Sequence, residues 1–133
     1  VYARDQSVAT FLAQDAMEYL KNLRDNTPDT SPTWLDNINE SGAICTAVAQ
    51  CRIDTTGPID YPVPCSGTSC VLSHGGGANG YASSGSQSQF SRSYYVVEVQ
   101  PGIEARVVVT VSWKTGTISN VVTLEDYFFN VQI

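Results

Sequence analysis

Between Glu104 and Trp113 the chain reads EARVVVTVSW, and this run restricts the fold more than any other. Val107, Val109, Val111 and Trp113 alternate onto one face with Ala105 in register, while Arg106, Thr110 and Ser112 take the other. Val108 is the exception, an apolar side chain on the polar face. β-Branched residues at period two suit a pleated, half-buried surface. A PG turn and a KTG turn bracket the run, and beyond them lie YYVVEVQ (94–100) and TISNVVTL (117–124). Three consecutive antiparallel strands are expected. The closing EDYFFNVQI is apolar enough to dock on them, as a fourth strand or as an irregular return.

The other end of the chain has a different period. The first 25 residues contain neither Gly nor Pro and favour helix, and Pro28 and Pro32 end the pattern. Val8, Leu12, Ala16, Tyr19 and Leu23 fall within an arc of about 80°, and Leu20 widens that stripe. Asp5 projects on the same side with Arg4 beside it, so the early turns are expected to be solvated or to meet another partner. At about 1.5 Å per residue the helix would be about 37 Å long, more than a small domain covers, so one end is expected to protrude. The expected architecture is α+β: a long N-terminal helix packed through Leu12, Ala16, Tyr19 and Leu23 on an antiparallel sheet of about four strands. One domain spans 1–133, with helix at 1–25, an irregular region at 26–93 and strands at 94–133.

Within the irregular region Cys45, Cys51, Cys65 and Cys70 cluster, with no other cysteine in the chain. An even, clustered set predicts two disulfides and an oxidising compartment. The spacings are looser than those of zinc knuckles, and the only histidine is His74, so no metal site is expected. Three pairings are open. The most local, Cys45 with Cys51 and Cys65 with Cys70, closes short loops and would stabilise modestly. Short strands are expected near Ala43–Val48 and Gln50–Asp54. Between Ser73 and Ser93 the Gly, Ser, Asn and Gln content predicts a mobile loop.

Charge narrows the partners. Seven Lys and Arg against thirteen Asp and Glu give a net charge of −6 over 133 residues, which repels phosphate backbones; nucleic acid is not an expected partner. A charged fraction of 15% beside many Ser, Thr, Gly and Asn suits an extracytoplasmic protein. No apolar run is long enough to span a membrane. The chain starts inside the helical pattern without an initiator Met, so an upstream segment is expected to have been removed.

Several patterns hint at chemistry and fail on their required neighbours. SHGGGANG, from Ser73 to Gly80, matches both the HGGG oxyanion loop of esterases and the spacing of a dinucleotide-binding glycine loop. The first needs GxSxG and a second histidine, and the second needs a strand before it and a helix after it; neither partner is present. Asp15 with Glu18, and Glu125 with Asp126, read as surface carboxylates, and Glu18, Lys21 and Asp25 as helix-surface ion pairs. DTTGPID, from Asp54 to Asp60, lacks the ligand density of a calcium loop. NES at Asn39 matches a glycosylation acceptor. Trp34, Tyr61 and Tyr81 lie in loops, where they could stack on a sugar or a protein surface or pack into the core. No catalytic residue, cofactor or metal is expected.

The two ends together resemble one family. VATFLAQDAMEYLKNLRD is similar to the helix just beyond the membrane-inserted part of type IV pilin-like proteins, through Ala9, Leu12, Ala13, Gln14, Glu18 and Arg24. QFSRSYYVVEV and ARVVVTVSWKTGTISNVVTL resemble the strand region of the same proteins, with Phe90, Arg92 and a strand ending at Trp113. The likeness covers the two ends and leaves the cysteine- and glycine-rich middle unmatched. It implies a leader cleaved by a prepilin peptidase and a hydrophobic helix that anchors the subunit before assembly and packs in the filament core afterwards. No cysteine follows Cys70, a departure from the major-pilin pattern that favours a minor pilin or pseudopilin. The implied role is a non-enzymatic subunit of a type IV pilus or type II secretion pseudopilus. Its implied partners are other pilin or pseudopilin subunits and, through the removed helix, the membrane. The implied location is the inner or cytoplasmic membrane before assembly, and the pilus or cell surface after. The alternative is a secreted binding module for a glycan or protein, built on Trp34, Tyr61 and Tyr81.

Overall fold

A computed structural model describes residues 2–28, 31, 33–39, 44–55, 62–74, 81–82 and 86–130. Helix α1 (Tyr2–Asp25) leads, followed by a single turn, α2 (Asp36–Asn39). The strands are β1 (Cys51–Arg52), β2 (Val63–Pro64), β3 (Val71–His74), β4 (Tyr81–Ala82), β5 (Ser86–Gln100), β6 (Glu104–Thr115) and β7 (Ile118–Phe129). A 3-10 turn, Gly67–Cys70, leads into β3. The protein is α+β, with α1 packed on an antiparallel sheet.

The long strands form as the alternation dictates. Strands β6 and β7 pair without a break from Glu104↔Phe129 to Thr115↔Ile118, and β5 pairs with β6 from Ser91↔Ser112 to Gln100↔Glu104. Gly102 and Gly116 sit in the two connecting turns at φ of 75° and 64°, a conformation that residues with a Cβ rarely adopt. Phe90, Tyr94, Val96, Ala105, Val107, Val109, Val111, Trp113 and Phe128 are buried on the face turned to α1. Val108, on the opposite face, is only 3% exposed. It lies opposite Tyr95 and Glu125, and Arg106 reaches from the next position to Glu125 (3.0 Å) and toward the Tyr95 ring (6.0 Å), roofing the valine.

The middle of the chain adds strands that composition concealed. The sheet has seven strands rather than about four, and β1 to β4 fall in the region expected to be irregular. β5 begins at Ser86, not Tyr94, so SQSQFSRS is strand where a mobile loop was expected. Pairing overrides composition there: β3 lies along one side of that stretch (Val71↔Ser91, Ser73↔Gln87), and Ser91 onward pairs β6 on the other. Farther along, β1 meets β5 at Cys51↔Tyr94 and is itself paired with β2. The expected strand near Gln50–Asp54 is reduced to Cys51–Arg52, and no strand forms over 44–48. EDYFF continues β7 instead of making a new strand.

Helix α1 also differs in aspect from its sequence pattern. Ala9, Leu12, Ala13, Ala16, Met17, Leu20 and Leu23 are buried, whereas Val8 and Tyr19 pack at the margin. The contact line is rotated by about 60° from the expected stripe. Small residues on that line let the helix approach the valine face closely. The early turns are covered, not solvated: Asp5 and Ala9 are buried. The helix does not outrun its support, because 24 residues of helix (about 36 Å) match 12 residues of strand (about 41 Å). It lies along β7, with Lys21 Nζ on Asp126 Oδ2 at 2.7 Å and the Arg24 guanidinium 4.7 Å from the Phe128 ring centroid. At its C-terminal end the Leu23 carbonyl accepts from Thr27 Oγ1 (3.2 Å) and Asn37 Nδ2 (2.9 Å), satisfying one of the groups a helix end leaves open.

Candidate functional site

Period two carries Arg92 to the core face of β5 between Phe90 and Tyr94, so a charged side chain must find partners inside. It is 1% exposed. Nη1 donates to the Leu12 carbonyl of α1 (3.1 Å) and Nη2 to the Ile53 carbonyl just after β1 (3.0 Å). Asp15 Oδ2 lies 3.6 Å from Nη1 and accepts from Thr55 Oγ1 at 2.9 Å. Burial lowers the Arg92 pKa to about 10, and Asp15 and Asp54 oppose that shift, so the side chain stays charged at neutral pH. One guanidinium thus ties the helix, the β1 segment and the central strand together. Sealed in this way, it clamps elements and has no surface for a substrate.

The same seam carries the first disulfide. Cys45–Cys51 is completely buried; Cys45 N–H donates to Asn39 Oδ1 (2.8 Å), and Val96 N–H donates to the Cys45 carbonyl (2.9 Å). Tyr94 Oη donates to the Ile38 carbonyl at 2.7 Å, beneath the sulfurs. Cys65–Cys70 closes the 3-10 turn near the surface, and Cys65 N–H donates to the Gln50 carbonyl at 2.9 Å. Of the three open pairings the local one is realised, and the two bridges fit an oxidising, extracytoplasmic environment.

The remaining candidates separate. Trp34 is half-buried and packs against the core, so it is a packing residue and not a displayed ring. Tyr61 lies outside the described residues. Tyr81 is in β4 opposite His74, with both side chains outside the described set. Residues 75–80 of SHGGGANG and 56–60 of the DTTGPID stretch also lie outside it. Asn39 is buried with its Oδ1 engaged, which removes it as an accessible glycan acceptor in the folded chain. Glu125 and Asp126 point to opposite faces of β7, one to Arg106 and the other to Lys21, so they cannot act as a pair. Lys21 and Asp25 do not pair on the helix surface, since Asp25 bonds Arg24 and Lys21 reaches β7.

Among the described residues no group of three or more His, Cys, Asp or Glu is placed to hold a metal ion, and no helix is long and apolar enough to cross a membrane. An open groove of about 500 Å³ runs along α1, lined by Ala3, Gln6, Ser7, Thr10, Phe11 and Gln14. Sequence reasoning missed this groove and the Arg92 clamp. The available signal was the position of Arg92 at period two with Phe90, Tyr94 and Val96. No family model, characterised protein or solved structure matches the chain.

Proposed function

We propose that this chain is a non-enzymatic assembly subunit, a minor pilin or pseudopilin, acting in a type IV pilus or a type II secretion pseudopilus. The observation that carries the reading is a helix with no Gly or Pro lying along the whole length of an antiparallel hairpin, with a disulfide-stapled segment beside it. The resemblance of the helix and strand segments to pilin-like proteins points the same way. The subunit enters the membrane through a hydrophobic helix upstream of Val1, and its partners are other pilin or pseudopilin subunits. The sheet and the stapled segment face neighbouring subunits or the outside, and the work is mechanical and architectural, with no cofactor.

Sequencing the coding region upstream of Val1 tests the reading. A short basic leader followed by about 20 apolar residues is the expected result. An ordinary cleaved signal peptide there refutes it. Half-burial of Trp34 against the core leaves the glycan-binding alternative with less than a fully displayed ring at that position.

A further inference from the structure

We propose that two copies of this chain associate through the β7 edge, strand β7 pairing antiparallel with its counterpart across a two-fold axis at Thr123. The proposal rests on the sheet edge and the flank of α1, and does not depend on the filament reading.

Strand β7 pairs only with β6, so its other side is an open edge among the described residues. Proteins usually blunt such an edge with a bulge, a Pro or a Lys. Here the twelve residues run in unbroken register with β6 and contain neither Pro nor Lys. Ile118, Val121, Tyr127 and Phe129 are exposed along this strand. A long, regular, apolar edge is a template for another strand.

Helix α1 extends that edge into a wall. Lys21 reaches β7 and Asp15 reaches the opposite side, toward Arg92 and Thr55, which identifies the two flanks of the helix. Ala3, Gln6, Thr10 and Gln14 precede Lys21 at helical spacing, so the groove they line opens on the β7 flank. The wall, from the outer sheet face to the helix, is about 40 Å long and about 20 Å tall, or about 800 Å², one partner's share of a standard interface. Joining two edges at the usual strand spacing sets the two helices about 10 Å apart, a normal packing distance for side chains as small as Ala3 and Thr10.

Charge favours a second copy. The chain carries −6 overall, but on β7 both acidic residues are paired within their own chain, Asp126 with Lys21 and Glu125 with Arg106, so the edge does not present unpaired negative charge to a second copy. An axis at Thr123 sets Leu124 opposite Val122, Asp126 opposite Asn120 and Glu125 opposite Val121, with no like charges facing.

Two measurements on the 133-residue chain test this. Sedimentation equilibrium should give twice the 14.4 kDa chain mass as concentration rises. Thr123→Lys faces an ammonium with its own copy at the axis and should weaken association at least about tenfold, whereas Val121→Lys meets Glu125 of the partner subunit and should retain it. All four native cysteines are in disulfides, so Thr123→Cys adds a unique thiol that should form a covalent dimer on mild oxidation, while Val97→Cys on the outer face should not. A monomer at every concentration up to about 1 mM, equal weakening by both lysines, or cross-linking at position 97 but not 123, would each overturn the proposal.

Discussion

Helix α1 with strands β5 to β7 and the segment from Trp34 to His74 share one core, yet different forces hold them. In the first, apolar side chains at period 3.6 meet apolar side chains at period two, and the contact is continuous from Ala9 to Leu23. In the second, elements of two to four residues bury little on their own. They are fixed by two disulfides and by side chains reaching between the two regions: Tyr94 to Ile38, Asn37 to Leu23 and Arg92 to Ile53. Regular elements generate burial cooperatively, whereas short irregular ones need covalent or polar ties to offset the entropy of ordering.

Breaking the buried tie should have the largest effect. Replacing Cys45 and Cys51 with Ala should cost about 4 kcal/mol, since it removes a loop constraint and leaves a void in the core. Replacing Cys65 and Cys70 with Ser should cost about 2 kcal/mol, because that bridge lies near the surface. Urea unfolding gives both values, and equal costs would contradict the distinction. Graded reduction with thiol tagging should show two free thiols before four.

Leu20→Ala tests the apolar region alone. Leu20 is fully buried beneath the helix, and its truncation should cost about 3 kcal/mol. The loss should appear as a lower urea midpoint at unchanged slope, with hydrogen exchange accelerated in α1 and β6 together. Arg92→Met probes the seam between the regions. It fills similar volume but leaves the Leu12 and Ile53 carbonyls without their donor, at about 2 kcal/mol, and should speed exchange in residues 51–55 more than in β6.

Lys21→Met should have the smallest effect, under about 1 kcal/mol, because the Lys21–Asp126 pair is substantially solvated. The hydrogen bond from Lys21 holds the Asp126 carboxyl below its ordinary value of 3.8. A depressed carboxylate contributes stability above its unfolded pKa and loses it as pH falls through the folded one. The wild type and Lys21→Met should therefore differ in urea midpoint at neutral pH and converge as pH falls below the ordinary carboxylate value.

Much of the helix–sheet layer was legible because its signals are local. Val107, Val109, Val111 and Trp113 announce their face by alternation, and Gly102 and Gly116 mark the turns. Of the expected contact residues, Leu12, Ala16 and Leu23 are buried, whereas Tyr19 packs at the margin. An 80° apolar arc does not say which of its edges a flat sheet meets, and the contact also takes in Ala9, Ala13 and Met17. SQSQFSRS was misread because its partners, Val71–His74 and, from Ser91 onward, β6, are remote in sequence, and a polar strand carries no pattern of its own. Trp34 packed against the core and Asn39 against Cys45 were likewise hidden, since nothing near them in the chain shows what they touch.

The sequence by itself determined that this protein has a long helix, a valine-rich hairpin sheet and two disulfides, because periodicity, turn chemistry and cysteine count act over a few residues. Only the tertiary structure decided which helix face is buried, that Arg92 joins three elements, which disulfide is sealed in the core, and that β7 has an open edge among the described residues. Those outcomes depend on what lies across the fold, and a burial or a vacant hydrogen-bonding row exists only once distant segments have met.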